Sequence, residues 1–197
     1  MGRALFIIDV QNDFTEGGAL GVEGGEAVAA GVSTLLAEHR GAYDLVFASR
    51  DWHDADNDNG GHFAADENPD FVDSWPVHCV AGTFGADYHD DLTTQAIDVH
   101  IRKGQGKPAY SIFEGTAEEG GSVTELLDAH GITAIDIAGL ATDYCVRTSA
   151  LDALEHGRAV RIITDLVAGV TQESTRNALA EMARAGADLV LAAQVED

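Results

Sequence analysis

Cys145 lies in the stretch Gly139-Leu140-Ala141-Thr142-Asp143-Tyr144-Cys145-Val146. An apolar run, Ile132 to Ala138, precedes it and reads as a buried parallel strand. After it, Tyr144 to His156 carries apolar residues at 146, 150, 151 and 154, which suit one face of a helix. The expected order is strand, tight turn, helix, with the thiol in the first helical turn. Backbone N–H groups there can lower a thiol pKa and receive a developing oxyanion. Asp9 and Lys103 also fall at or just past the ends of apolar runs. In a parallel sheet such C-terminal strand ends converge on one edge, where ligands bind. A thiol beside an ammonium and a helix N-terminus is expected to be partly thiolate, and a neighbouring carboxylate can pass its proton to a leaving amine. Asp51 and His53 form a second set on one short turn. With His62 and His78 they offer imidazole and carboxylate ligands suited to Zn, Fe or Mn.

The elements that must position these groups follow in chain order. Ala4 to Val10 is an apolar run broken only by Asp9, as in a central parallel strand. A Gly-rich loop, Gly17 to Gly25, leads to a helix over Glu26 to Arg40, with Val28, Val32, Leu35 and Leu36 on one face. Its glycines lack the spacing of a nucleotide-binding loop. Asp44 to Ser49 reads as a second strand, Ile97 to Lys103 as a third, Ala159 to Thr164 as a fifth and Asp188 to Ala192 as a sixth; the Cys145 strand is the fourth. Helices are expected at Val123 to His130 and Ser174 to Ala185. Strands alternating with helices predict a doubly wound α/β fold: a mostly parallel six-stranded sheet with helices on both faces, Rossmann-like in plan. His39, His130 and His156 each sit at a predicted helix end next to or near Gly, and read as end residues, not ligands.

Between the second and third strands lies an irregular segment, about residues 51–94. Loops of that length are functional or disordered. This one carries Trp52, Phe63, Phe71, Trp75 and Phe84, too aromatic for a disordered linker, together with His53, His62 and His78. A metal ion is the economical candidate for ordering it.

Composition narrows the function classes. The 197 residues suit a single domain spanning 1–197. With 34 acidic and 11 basic residues the formal charge is −23, which opposes nucleic-acid binding. No apolar run is long enough for a membrane span, so no membrane partner is expected. The N-terminus enters a strand pattern at once, without a signal-peptide layout, so the expected compartment is the cytoplasm. Two cysteines, Cys79 and Cys145, make no disulfide framework. A homo-oligomer is compatible with the sequence.

Four motifs occur in order: Ile8-Asp9-Val10-Gln11-Asn12-Asp13-Phe14, Ser49-Arg50-Asp51-Trp52-His53, Trp75-Pro76-Val77-His78-Cys79-Val80, and the Cys145 stretch. With them the chain resembles the nicotinamidases of the pyrazinamidase type, in the isochorismatase-like cysteine hydrolase superfamily. The resemblance covers nearly the whole chain. It implies a catalytic triad of Asp9, Lys103 and Cys145, and a divalent metal held by Asp51, His53 and His78, with His62 a further ligand found in part of the family. It implies that Phe14, Trp75 and Tyr110 line the substrate pocket. It also implies a cis peptide between Leu140 and Ala141, with the Ala141 and Cys145 N–H groups forming an oxyanion hole. The implied reaction is hydrolysis of a small carboxamide, nicotinamide, to nicotinate and ammonia. The chain departs from the commoner pattern in the wide spacer Asp54 to Gly61 before His62. Two other readings remain: a superfamily hydrolase acting on isochorismate or a carbamoyl compound, and a non-catalytic metal- or ligand-binding protein on the same fold.

Overall fold

The computed structural model describes residues 2–65 and 68–196. The chain forms β1 (Gly2–Ile8), α1 (Gly25–His39), β2 (Leu45–Asp51), β3 (Val99–Lys103), β4 (Thr116–Ala117), α2 (Val123–Ala129), β5 (Ile132–Leu140), α3 (Arg147–Glu155), β6 (Ala159–Ala168), α4 (Gln172–Ala185) and β7 (Asp188–Val190). The sheet order is β4-β3-β2-β1-β5-β6-β7, parallel except for β4. The sheet therefore has seven strands, not the expected six. The extra strand is a two-residue antiparallel edge in which Ala117 pairs with Ile101. It lies in a polar stretch too short to show alternation, so no periodicity announces it.

β1 is central and apolar because it is covered twice. Ala4, Phe6 and Ile8 point to a core shared with Val123 and Leu127 of α2, Ala150 and Ala153 of α3, and Ala178 and Met182 of α4. Leu5 and Ile7 point the other way, to Val28, Ala29, Val32, Leu35 and Leu36 of α1. The period-two alternation thus serves two cores instead of one core and solvent. Each fully buried side chain of this size contributes roughly 1.5–3 kcal/mol. Capping boxes start two helices: Ser122 with Glu125 for α2, and Thr171 with Ser174 for α4. Among the described residues no helix is long and apolar enough to cross a membrane.

The strand order reverses direction at β1, which has β2 on one side and β5 on the other. This is the topological switch point, and the C-terminal ends of its neighbours carry the residues of interest. Asp9 follows β1, Asp51 ends β2, Lys103 ends β3, and Cys145 follows β5. Beside Asp9 the strands approach closely at Gly139, which pairs with Ile8. Gly139 has φ +120°, and a Cβ there would lie 2.1 Å from the Ile8 carbonyl oxygen. Only glycine satisfies both conditions. Gly139→Ala is therefore expected to destabilise the fold by about 3 kcal/mol or more, read as a fall in melting temperature. An unchanged melting temperature would contradict this strand approach.

Candidate active site

The chain leaves β1 at Asp9, whose φ is +47°, an unusual conformation for a non-glycine residue. Its carboxyl group is fully buried. Ser49 Oγ donates to Asp9 Oδ1 at 2.7 Å and accepts from the Asp9 N–H at 3.3 Å. Lys103, also fully buried, brings its Nζ to 2.9 Å from Asp9 Oδ2 and 3.6 Å from Cys145 Sγ. The same ammonium donates to Asp51 Oδ1 and, at 3.3 Å, to the Ala109 carbonyl. One cation thus touches Asp9, Asp51 and Cys145.

Cys145 sits in a π-helical turn, Thr142–Val146, ahead of α3. The turn is closed by Val146 N–H to Ala141 O at 3.2 Å and by the Arg147 N–H to Thr142 O. π turns are rare and occur often at functional sites. The Leu140–Ala141 peptide is cis. Ala141 and Cys145 line the same cavity.

Burial governs the electrostatics. It pushes the Cys145 thiol pKa well up; the Lys103 charge pulls against this, and Asp9 and Asp51 add to it. Burial thus works against the partial thiolate expected from the sequence, and Lys103 works for it. Burial raises the Asp9 pKa too, against the pull of Lys103 and the hydrogen bond from Ser49. A carboxylate with a raised pKa is a better proton acceptor. Burial opposes the Lys103 charge, but Asp51 and Asp9 outweigh it and keep the ammonium protonated. Asp51 is held well below the usual carboxylate range: burial works the other way, and Lys103, His53 and His78 overcome it.

On its far side Asp51 faces three buried histidines. One ligand atom from each of Asp51, His53, His62 and His78 falls within 4.8 Å of the others. Asp51 Oδ2 lies 3.5 Å from His53 Nε2 and 3.8 Å from His78 Nε2. His53 Nδ1 lies 2.8 Å from the Gly104 carbonyl and His78 Nδ1 2.7 Å from that of Pro76. A carbonyl fixes Nδ1 as the donor, which leaves each Nε2 lone pair aimed into the cluster. Among the described residues, His53 Nε2 and both His62 ring nitrogens are buried without a hydrogen-bond partner. Burial, then the neighbouring His53 and His78, push the His62 pKa down to about 3, so its ring is neutral at physiological pH. Orphaned ring nitrogens on His53 and His62 beside a carboxylate fit a divalent ion such as Zn, Fe or Mn.

The wide spacer is ordered by Asn59. This buried residue accepts from Asp54 N–H at 2.8 Å and Gly106 N–H at 3.1 Å, and donates to the Asp54 carbonyl at 3.0 Å. It docks the spacer on the loop after β3 and carries the chain to His62.

A cavity of about 370 Å³ opens between Cys145 and the histidines. Phe14, Trp75 and Tyr110, singled out in the sequence, all line it. So do Leu20, Phe71, Tyr144 and Val170, which sequence reading passed over. Trp75 Nε1 donates to Tyr110 Oη at 3.0 Å, and the Tyr144 ring stacks on Tyr110 at 6.3 Å and meets Trp75 edge-on at 5.1 Å. Tyr144 could have been suspected from its place directly before Cys145. Phe71 and Val170 lie in turns remote in sequence, with no local signal. Ser49 was visible only as a polar end to an apolar run.

The fold and site together define a class: parallel α/β proteins with a cysteine at a strand-to-helix turn beside a buried His/Asp cluster. The isochorismatase domain family matches residues 3–194. A nicotinamidase/pyrazinamidase of Mycobacterium tuberculosis is 47% identical over 95% of this chain and 98% of its own length. PnC1 from L. infantum, solved in complex with nicotinate, superposes with a TM-score of 0.83 at 34% identity, covering 98% of this chain and 93% of that one. A pyrazinamidase of Pyrococcus horikoshii, solved in complex with zinc, gives a TM-score of 0.82 at 36% identity, covering 97% and 99%. The chain belongs to the isochorismatase family, and its nicotinamidase relatives are amidohydrolases acting on a carboxamide.

The cluster depends on one glycine. Gly104 has φ +83°, and a Cβ there would lie 2.6 Å from His53 Cε1 and 2.8 Å from Nδ1. Gly104→Ala is expected to displace the His53 ring and weaken the affinity of the cluster for an added divalent ion about 10- to 100-fold, measured by chelator competition. An unchanged affinity would remove His53 from the ligand set.

Proposed function

We infer that the chain is a metal-dependent cysteine amidase that hydrolyses nicotinamide, and pyrazinamide with it, to the acid and ammonia. The observation that supports this most is the Lys103 ammonium, which stands 2.9 Å from Asp9 Oδ2 and 3.6 Å from the Sγ of Cys145, a residue that lines an aromatic-walled cavity. A second hydrolase reading, on isochorismate or a carbamoyl compound, leaves the buried His/Asp cluster without a purpose. The two unpaired cysteines suit a reducing compartment, the cytoplasm.

The chemistry follows from the groups in place. The planar ring of the substrate lies among Phe14, Trp75 and Tyr110. Cys145 Sγ attacks the carboxamide carbon while its proton passes to Asp9. The Ala141 and Cys145 N–H groups receive the charge that forms on the carboxamide oxygen. Asp9 returns the proton to the nitrogen, ammonia leaves, and a thioester on Cys145 remains. Water then adds to the thioester, again giving its proton to Asp9. Nicotinate departs as Cys145 recovers the thiol. Lys103 keeps Asp9 and the sulfur in register throughout. Asp51, His53, His62 and His78 would hold a divalent ion, Zn, Fe or Mn, which supplies a Lewis-acid anchor for the ring nitrogen, directly or through bound water.

Ammonia release from nicotinamide, with metal analysis of the same sample, tests the reading. Cys145→Ala is expected to abolish turnover. Cys79→Ala is expected to keep most of it, because Cys79 is buried, its thiol is pushed well up by that burial, and it faces the Gly85 carbonyl at 3.9 Å. The reverse pattern would overturn the assignment of the nucleophile. Substrate choice tests the anchor. Nicotinamide and pyrazinamide should be good substrates, whereas benzamide, without a ring nitrogen, and picolinamide, with it ortho, should lose about 100-fold or more in kcat/KM. Comparable values for benzamide and nicotinamide would mean that the cluster is structural only.

A further inference from the structure

Asp9 can accept a proton only if one of its oxygens is kept available and correctly aimed. Its φ of +47° and complete burial mean that neither solvent nor regular backbone geometry sets the carboxylate plane. Two side chains do. Lys103 Nζ contacts Oδ2 at 2.9 Å, but the contact lacks hydrogen-bond alignment, and among the described residues Oδ2 is buried without a hydrogen-bond partner. Ser49 instead grips Oδ1 at 2.7 Å.

The direction of the Ser49 bond is determined. Ser49 Oγ accepts from the Asp9 N–H, so its own hydrogen is the one given to Oδ1. Ser49 is fully buried on β2, within two residues of Asp51. Both ends of the Asp9 residue, amide and carboxylate, therefore close on one hydroxyl of the neighbouring strand. Such a clamp leaves Oδ2, 2.9 Å from the Lys103 ammonium, as the oxygen that Ser49 does not hold.

We propose that Ser49 is a positioning residue for the reaction: by donating to Asp9 Oδ1 while accepting from the Asp9 N–H, it fixes the carboxylate plane and leaves Oδ2 for the proton exchanged with Cys145 and the leaving nitrogen. This rests on the amidase reading above. It adds a second consequence. A hydroxyl that donates to a carboxylate favours the ionised form. The groups facing Asp9 are Ser49 from β2, Lys103 from β3, Asp51 at the end of β2 and Cys145 from the π turn. Burial and Asp51 oppose ionisation of Asp9, and Lys103 and Ser49 favour it. Loss of the Ser49 hydroxyl thus leaves Asp9 harder to ionise and free to turn.

The test compares the metal-loaded protein with Ser49→Ala and Ser49→Thr, using kcat and KM for nicotinamide across pH. Metal content and melting temperature are measured alongside. Infrared titration of the Asp9 carboxylate, by difference from Asp9→Asn, supplies a readout independent of substrate. Ser49→Ala is expected to lower kcat about tenfold or more near neutral pH with KM little changed. Its acidic limb in kcat/KM and the infrared midpoint should both move to higher pH. Ser49→Thr, which restores the hydroxyl, should recover most of the loss. Parental kcat and an unmoved acidic limb in Ser49→Ala would overturn the proposal. So would a Ser49→Thr protein that binds metal and melts normally yet is as slow as Ser49→Ala. If the parent protein released no ammonia from nicotinamide, the amidase reading would fall. The infrared midpoint would then decide for Ser49 alone: raised in Ser49→Ala it supports the clamp, unmoved it overturns it.

Discussion

A single buried ammonium is the constraint on which this structure turns. Lys103 has no access to solvent, and removing an ion from water costs several kcal/mol unless it is paired and hydrogen-bonded. Asp9, Asp51 and the Ala109 carbonyl supply those partners. The same arrangement allows two carboxylates and a thiol to share one dry corner. With Asp9 and Asp51 ionised, the trio of Asp9, Asp51 and Lys103 carries one net negative charge. A proton that moved from Cys145 to Asp9 would neutralise that trio and leave the negative charge on the sulfur, still beside the Lys103 ammonium.

Asp51 gives the corner a second side. One oxygen takes the Lys103 hydrogen bond and the other faces His53 and His78. The surplus negative charge and three imidazoles, two of them with orphaned nitrogens, make the pocket suited to a divalent cation. Because β2 supplies Asp51 and β3 supplies Lys103 through adjacent parallel pairing, Asp51 against Lys103, the ammonium and the cluster are held in a fixed relation by sheet register. The long segment after β2 then has a physical role. It brings His62, Phe71, Trp75 and His78 over that edge, forming at once part of the His/Asp cluster and one wall of the cavity.

Much of this was legible in the sequence because strong local signals coincide with the site. Apolar runs ending in Asp9, Lys103 and the Cys145 turn mark strands, and parallel strands put those ends on one edge. The histidines separated cleanly: His39, His130 and His156 fall at helix ends in the structure, whereas His53, His62 and His78 converge. What was illegible depended on contacts distant in sequence. The edge strand Thr116–Ala117 is defined only by its pairing with β3. Phe71 and Val170 reach the cavity through turns without periodicity, and Ser49 acquires its role only when β2 lies beside the end of β1. The balance of effects on the Cys145 thiol was hidden for a related reason. The sequence displays the nearby Lys103 charge, but the desolvation that outweighs it belongs to the packed interior.

The claim that Lys103 sustains the site is tested most directly by the reactivity of the thiol itself. The measurement is the rate of Cys145 alkylation by iodoacetamide as a function of pH, in the metal-loaded parent and in Lys103→Met, which keeps the length of the side chain without its charge. The Lys103 charge lowers the Cys145 pKa. Lys103→Met should therefore shift the alkylation profile to higher pH and slow the reaction near neutrality. Superimposable profiles for two proteins of equal melting temperature and metal content would contradict the account.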